Sequence, residues 1–443
     1  MVINIPVVIF WFRRDLRIED NVGLYNALNS GLKVLPLFIF DRNILNKLDN
    51  KSDRRVDFIR QALVALNKEL SGFGSGLVVK YGHPLKVIET LIGEYNVKTV
   101  YLNRDYEPEA IERDDAIAGF LKIKHIDFKP YKDQVVFESS ELLKPDGNPY
   151  TVFTPYSKAW KKKLAVTDQL KRYDVRSLSA GFCRIENQLV PELEDIGFRK
   201  TDVKFLSPVI DENIIRTYDE TRDFPASEQG TTSLSAHLRF GTVSVRELVR
   251  IAVNANEVWL NELIWREFFM SILVHFPYVV NGPFKKQYEN IKWRNDQQEF
   301  RRWCAGKTGF PIVDAGMRQL NETGLMHNRV RMIVASFLTK DLLIDWRWGE
   351  AYFAEKLLDY DLAANNGNWQ WAAGCGCDAA PYFRIFNPVE QTKRYDPDFI
   401  YIRRWVKEVD SFEYLTPVVD HKFARERTLN TFKAALNQSC ESN

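Results

Sequence analysis

Cysteine is scarce in this chain of 443 residues, and the five present make no framework. Cys183, Cys304, Cys375, Cys377 and Cys440 are too few and too scattered for a disulfide scaffold. Cys375-Gly-Cys377 is too close for a CxxC pair, and no nearby histidine stands at ligand spacing, so no metal site is expected. Long apolar runs are missing as well: no stretch approaches the ~20 apolar residues that cross a bilayer. The first residues, Met1 to Asp20, lack a basic leader, an apolar core and a small-residue cleavage site. Together these absences predict a reduced, cytoplasmic protein without a membrane partner. Neither sign of charge is in excess, since 61 Lys and Arg face 59 Asp and Glu. Bulk attraction to nucleic acid is therefore excluded, and any such contact must come from local arrangement. No GxGxxG or GxxxxGK[ST] follows the first strand-like run, which leaves a dinucleotide fingerprint and a P-loop unsupported.

What is present divides the chain by period. Short β-branched apolar runs at Val7–Phe12, Val34–Phe40, Leu77–Tyr81, Thr99–Leu102 and Phe128–Tyr131 alternate with helical patterns at Arg55–Leu70, Pro84–Glu94 and Glu109–Leu121. Such alternation predicts a five-stranded parallel sheet, doubly wound, with helices on both faces. From about 131 to 205 the pattern weakens into a connector that includes the turn cluster Lys144-Pro-Asp-Gly-Asn-Pro149. Beyond it helical patterns dominate to Ala435. The expected organisation is thus an α/β domain over 1–130, a linker over 131–205 and an all-helical domain over 206–443. Eleven tryptophans are present, and nine of them, Trp259 to Trp405, fall in the helical part.

Four clusters carry chemistry. In Gly230-Thr-Thr-Ser-Leu-Ser-Ala-His-Leu-Arg239, Thr231, Thr232, Ser233, Leu234 and Ser235 precede a helical pattern, and hydroxyls with free N–H groups there suit a phosphate or pyrophosphate as well as an ordinary cap. Asn261-Glu262-Leu-Ile-Trp265-Arg266-Glu267 and Met326-His-Asn328-Arg329-Val-Arg331-Met332 place charge within apolar helices, where it needs partners. Asp359-Tyr-Asp361-Leu-Ala-Ala-Asn365-Asn-Gly-Asn-Trp369-Gln-Trp371 combines acids and amides, which hydrogen-bond a heterocycle, with indoles, which stack on it or pass electrons.

With Tyr218-Asp-Glu-Thr-Arg222-Asp-Phe-Pro225, Lys307-Thr-Gly-Phe-Pro-Ile-Val-Asp314 and Phe12-Arg-Arg-Asp-Leu-Arg17, these clusters resemble the photolyase/cryptochrome flavoproteins, most nearly the class I cyclobutane-dimer photolyases. The resemblance runs over nearly the whole chain. It implies light-dependent DNA repair, in which excited reduced FAD gives an electron to a flipped-out pyrimidine dimer. It also implies a helical FAD-binding domain. Tyr218, Thr231, Thr232, Ser233, Leu234 and Ser235 would line the pyrophosphate. Arg266, Asp359 and Asp361 would hold the flavin, Arg331 would pair Asp359, and Asn365 would face flavin N5. Trp293, Trp346 and Trp369 match electron-relay positions. Glu262, Trp265, Asn328, Arg329, Met332 and Trp371 match the lesion cavity, with Arg222 at its rim. Glu262, Asn328, Met332 and Asn365 are the catalytic set. Flipping a dimer costs less than flipping a sound base, because it is already poorly stacked.

Two rivals remain within that family. A (6-4) photolyase would place a histidine where Met332 stands. A cryptochrome would carry an extension, whereas only Asn437–Asn443 follows the last helical pattern. A second chromophore (a folate, a deazaflavin or a flavin) is left open, with Tyr101-Leu-Asn-Arg-Asp-Tyr-Glu107 in its general region. Damaged DNA is the expected partner, and a monomer the expected state.

Overall fold

The structure is a computed structural model that describes residues 3–185 and 189–441, with side chains over 5–185 and 189–437. Cys440 and most of the closing Asn437–Asn443 segment therefore lie outside the described side chains. Two compact units form. One gathers Met1–Leu142, Trp160–Ile210 and Leu234–Asn254; the other gathers Leu143–Ala159, Asp211–Ser233 and Ala255–Asn443.

The first unit is built on β1 (Ile3–Phe12), β2 (Lys33–Asp41), β3 (Val78–Gly82), β4 (Tyr95–Asn103) and β5 (Asp127–Tyr131). All pairings are parallel, in the order β3-β2-β1-β4-β5. Val7–Phe12 are all buried, as a central strand covered on both faces requires. The direction of winding reverses between β1 and β4, so the expected doubly wound five-stranded sheet is borne out. Among its helices, those interleaved with the strands include α1 (Val22–Leu28), α2 (Arg54–Ser71), α3 (Pro84–Glu94) and α4 (Pro108–Ile123). Asp53 caps α2 by accepting from Arg55 N at 2.8 Å, and proline opens both α3 and α4. The sequence pattern missed α1, which is too short to show a period.

A sealed ion network ties this unit's segments together. Arg17 grips Asp133 with one nitrogen at 2.7 and 2.9 Å and donates to Gly241 O at 3.0 Å. Arg246 donates to the same carboxylate at 2.8 Å and lies within 3.5 Å of Asp20. Burial alone would raise the Asp133 pKa, but Arg17 and Arg246 outweigh it and hold it below the usual value.

The second unit is helical, and among the described residues it holds no strand. The parts that matter for the site are α5 (Phe153–Leu164), whose first turns belong here, α6 (Glu257–His275), α7 (Pro311–Thr323), α8 (Asn328–Ser336), α9 (Trp346–Lys356), α10 (Leu362–Ala373) and α11 (His421–Glu441). Its core joins Trp303, Phe337, Trp346, Trp369 and Phe432, each no more than 2 % exposed. The motif Lys307–Asp314 is a brace. Asp314, fully buried, accepts from Thr308 N and Oγ1, Gly309 N and Tyr414 OH at 2.6–3.0 Å. No helix among the described residues is long and apolar enough to cross a membrane.

Candidate functional site

Helix α8 sorts its two arginines by geometry. Residues two apart on an α-helix point to nearly opposite sides. Arg329 turns one way and donates to Asp223 at 2.6 Å, its guanidinium 4.4 Å over the Tyr395 ring. Arg331 turns the other way and donates to both oxygens of Asp359 at 2.8 and 3.1 Å. His327 caps the helix, its Nδ1 accepting from Arg329 N at 3.2 Å. Burial, with Arg331, Arg329 and Arg222 nearby, depresses its pKa to about 4, so it is neutral at pH 7. Asn328 opens the helix exposed, and Met332 is half-buried with its sulfur 3.7 Å from Arg329 Nη1.

On α6, Glu262 accepts from Arg222 in a short ion pair. Arg222 also lies 3.8 Å from Asp223 and 5.3 Å over the Tyr218 ring. Burial raises the Glu262 pKa, against the pull of Arg222, although a third of the side chain reaches solvent. One turn on, Trp265 is stacked face to face on Phe153 at 3.7 Å and 4°, with Phe269 at 5.4 Å and 28° on its flank. Phe153 is fixed by its own N–H, which donates to Asp378 at 3.0 Å. Ser157 adds a bond to Asn261 at 3.0 Å. Trp265 thus offers a ligand what Phe153 leaves uncovered. Arg266 is half-buried on the same helix.

Helix α10 is capped by Asp361, which accepts from Ala364 N at 3.1 Å. Its amides divide by face. Asn366 and Gln370 brace the Val279 carbonyl at 3.0 and 2.9 Å, while buried Asn365 donates to Glu350 Oε1 at 2.8 Å. Burial raises the pKa of Glu350, against the Asn365 hydrogen bond. Trp371 is half-buried. Thr231 and Thr232 are half-buried and Ser233 is exposed with a left-handed backbone, φ 53°. Leu234 is buried, and Ser235 begins a short helix of the first unit.

Residues 259–434 match the family described as FAD binding domain of DNA photolyase, and residues 8–174 match DNA photolyase. A deoxyribodipyrimidine photo-lyase of Synechococcus is 37% identical, over 97% of this chain and 96% of its own. The chain belongs to the DNA photolyase family. Among solved structures, a class III photolyase from Agrobacterium tumefaciens superposes with TM-score 0.86 at 32% identity, covering 98% of both chains. An archaeal photolyase from Sulfolobus tokodaii, solved with two FAD molecules, gives 0.83 at 34%, over 96% of this chain and 99% of that one. A Synechocystis cryptochrome gives 0.84 at 28%, over 97% and 100%. The fold is therefore shared by chains named photolyase and by one named cryptochrome.

FAD is the cofactor of this photolyase. The donor set is chemically compatible with it, because a flavin edge presents carbonyl acceptors and an N–H donor, and Asn365, Asp359, Asp361 and the Arg331 guanidinium carry groups of complementary kind. The three predicted relay tryptophans sit in one core. Trp346 and Trp369 are 2 % exposed, and Trp293 is half-buried with its ring 5.9 Å from Phe432. The Trp369 ring crosses Gly349 so closely that a Cβ there would fall 2.1 Å from it. Gly349 lies three residues from Trp346, hence on the same face of α9. Phe353 and Trp303 are its ring neighbours, at 5.0 and 6.1 Å.

Sequence reasoning missed Phe153, Glu350 and Tyr395, each remote in sequence from the residue it touches. Asp223 stood inside a quoted motif without being singled out. Arg329, expected at the lesion cavity, is ion-paired with Asp223, as a guanidinium only 15 % exposed within an apolar helix requires.

Proposed function

We propose that this photolyase splits cyclobutane pyrimidine dimers in DNA under near-UV or blue light. The observation that carries the reading is the division of labour on α8, where Arg329 joins, through Asp223, the Arg222–Glu262 pair one turn from Trp265 while Arg331 serves Asp359 on the opposite side. Bound, reduced FAD supplies the light-driven electron. Arg331, Asp359, Asp361, Arg266 and Asn365 hold its flavin, and Tyr218 with Thr231, Thr232 and Ser233 its phosphates. The uncovered surface of Trp265, together with Trp371, stacks on the flipped pyrimidines. Glu262, whose pKa burial raises against the pull of Arg222, meets their polar edge. Asn328 and Met332 line the cavity, and Arg222 and Arg329 take backbone phosphates. His327, neutral and committed to its cap, is not poised for the acid–base chemistry of a (6-4) enzyme.

The test is direct. Purified flavoprotein with chemically reduced FAD restores thymine dimers to thymines only in the light. Equal yields in darkness, or none in light, would overturn the reading.

A second chromophore, if carried, belongs at the switch point between β1 and β4, where ligands of open parallel sheets sit. There the Arg13 and Arg113 guanidiniums, which share Asp114, both approach the Trp11 ring, at 5.1 and 5.0 Å. The neighbouring Asp105 is held down to about 2 by Arg14, Arg13, Arg239 and Arg113 despite its burial. Mass spectrometry of released chromophores identifies it. A monomer working in the cytoplasm completes the proposal.

A further inference from the structure

Asp223 lies between the two arginines assigned to the DNA backbone, 2.6 Å from Arg329 Nη2 and 3.8 Å from Arg222 Nε. A carboxylate held by guanidinium nitrogens makes the same charge-assisted contacts that a phosphodiester makes. It is also the group best placed to give way. Its side chain is 35 % exposed against 15 % for Arg329, and the Arg329 guanidinium has a second support in the Tyr395 ring, 4.4 Å away. Arg329 Nε has no hydrogen-bond partner among the described residues, so the guanidinium has unused donor capacity.

We propose that Asp223 is a built-in stand-in for DNA phosphate, which neutralises Arg329 in the free enzyme and is displaced when the lesion-bearing strand docks. The inference rests on the reading that Arg329 holds a phosphate. Its consequence is thermodynamic. A phosphate neutralised by Arg329 releases a bound cation from the DNA, but the displaced Asp223 becomes an exposed anion and takes up positive counter-charge. The exchange therefore adds little net salt dependence, and it restrains affinity by what is needed to part the ion pair. Asp223 is in this sense a residue that sets how readily the enzyme lets go of DNA.

The experiment measures binding of the whole flavoprotein in the dark to a labelled duplex carrying one thymine dimer, across a salt series. D223N is expected to bind about twofold to fivefold more tightly at low salt, the range of a partly exposed ion pair. Its plot of log affinity against log salt is expected to steepen by ~0.9, one more uncompensated phosphate contact. R329Q weakens binding, and D223N added to R329Q brings no gain. E220Q, which removes a charge from an exposed neighbouring position, leaves the slope alone. Unchanged or weaker binding by D223N, while R329Q still weakens it, overturns the proposal and makes Asp223 a residue that aims the guanidinium. An equal gain in E220Q also overturns it, as diffuse charge. If R329Q binds like the parent, the phosphate reading itself is wrong and the exchange falls with it. Retained flavin absorbance in each variant shows that the fold survives.

Discussion

Arg246 in the α/β unit and Arg329 in the helical unit are both arginines held by aspartates, yet they do different work. Arg246 is 3 % exposed, and its partner Asp133 is 1 % exposed and gripped a second time by Arg17. Every oxygen of that network is spoken for within the protein, so nothing from solution can enter it. Arg329 shares Asp223 with Arg222 at longer range, and the carboxylate is partly open to water. The chemistry of the two pairs is the same, and burial separates a strut from an exchangeable contact. A sealed pair leaves an uncompensated charge in the interior when one partner is lost, whereas an open pair returns its charge to solvent.

Breaking the sealed side gives the largest expected effect. Arg246→Ala leaves buried Asp133 to Arg17 alone and takes one of two arginines from Asp20, and should lower stability by about 3–5 kcal/mol, read as a shift in the urea midpoint. The same truncation at Arg329 should leave that midpoint nearly unmoved. Equal losses at the two sites would erase the distinction.

The relay gives the next effect, and it should touch neither network. Trp293→Phe blocks the exit of the electron, because phenylalanine is much harder to oxidise than tryptophan. Light should then fail to reduce oxidised FAD, even with an external thiol. Chemically reduced Trp293→Phe should still repair at nearly the parent rate. Undiminished photoreduction would show that another aromatic, such as Trp303 beside Trp369, carries the electron.

A smaller effect is expected at Phe153. Its stack on Trp265 fixes the indole plane, so Phe153→Ala should cost about 0.5–1.5 kcal/mol of dimer-DNA affinity, the range of an aromatic pair. Photoreduction should be unchanged, which separates a loosened cavity from a lost flavin. Phe153→Tyr should restore most of the affinity.

The smallest lies in a third, intermediate pair. His421 sits against fully buried Asp341, whose hydrogen bond raises the His421 pKa. A raised histidine contributes all of its stabilisation below its unfolded pKa of ~6.5 and loses it as pH rises through the folded value. His421→Gln should therefore lower stability more at about pH 6 than at about pH 8.5, by up to ~1 kcal/mol, since the ring is partly solvated. A larger loss at the alkaline end would reverse that sign.

The β-branched runs at Val7–Phe12 and Val34–Phe40 determined the sheet by themselves, because a strand covered on both faces must be apolar throughout. Proline at 84 likewise fixed the start of α3, by a local rule that needs no neighbour. The motifs around Glu262, Arg329 and Asn365 were legible for the same reason: each places polar side chains where an apolar helix would not, and the resemblance they carry named the cofactor. Only the tertiary structure decided which partner each of them meets. Phe153 lies 112 residues before Trp265, and Asp223 lies 106 before Arg329. No periodicity spans such distances, since contact across them depends on how helices pack rather than on what each helix prefers. The same holds for burial, which makes Asp133 a strut and leaves Asp223 open to exchange. Those two aspartates are alike in sequence, and the packing around them sets what each can do.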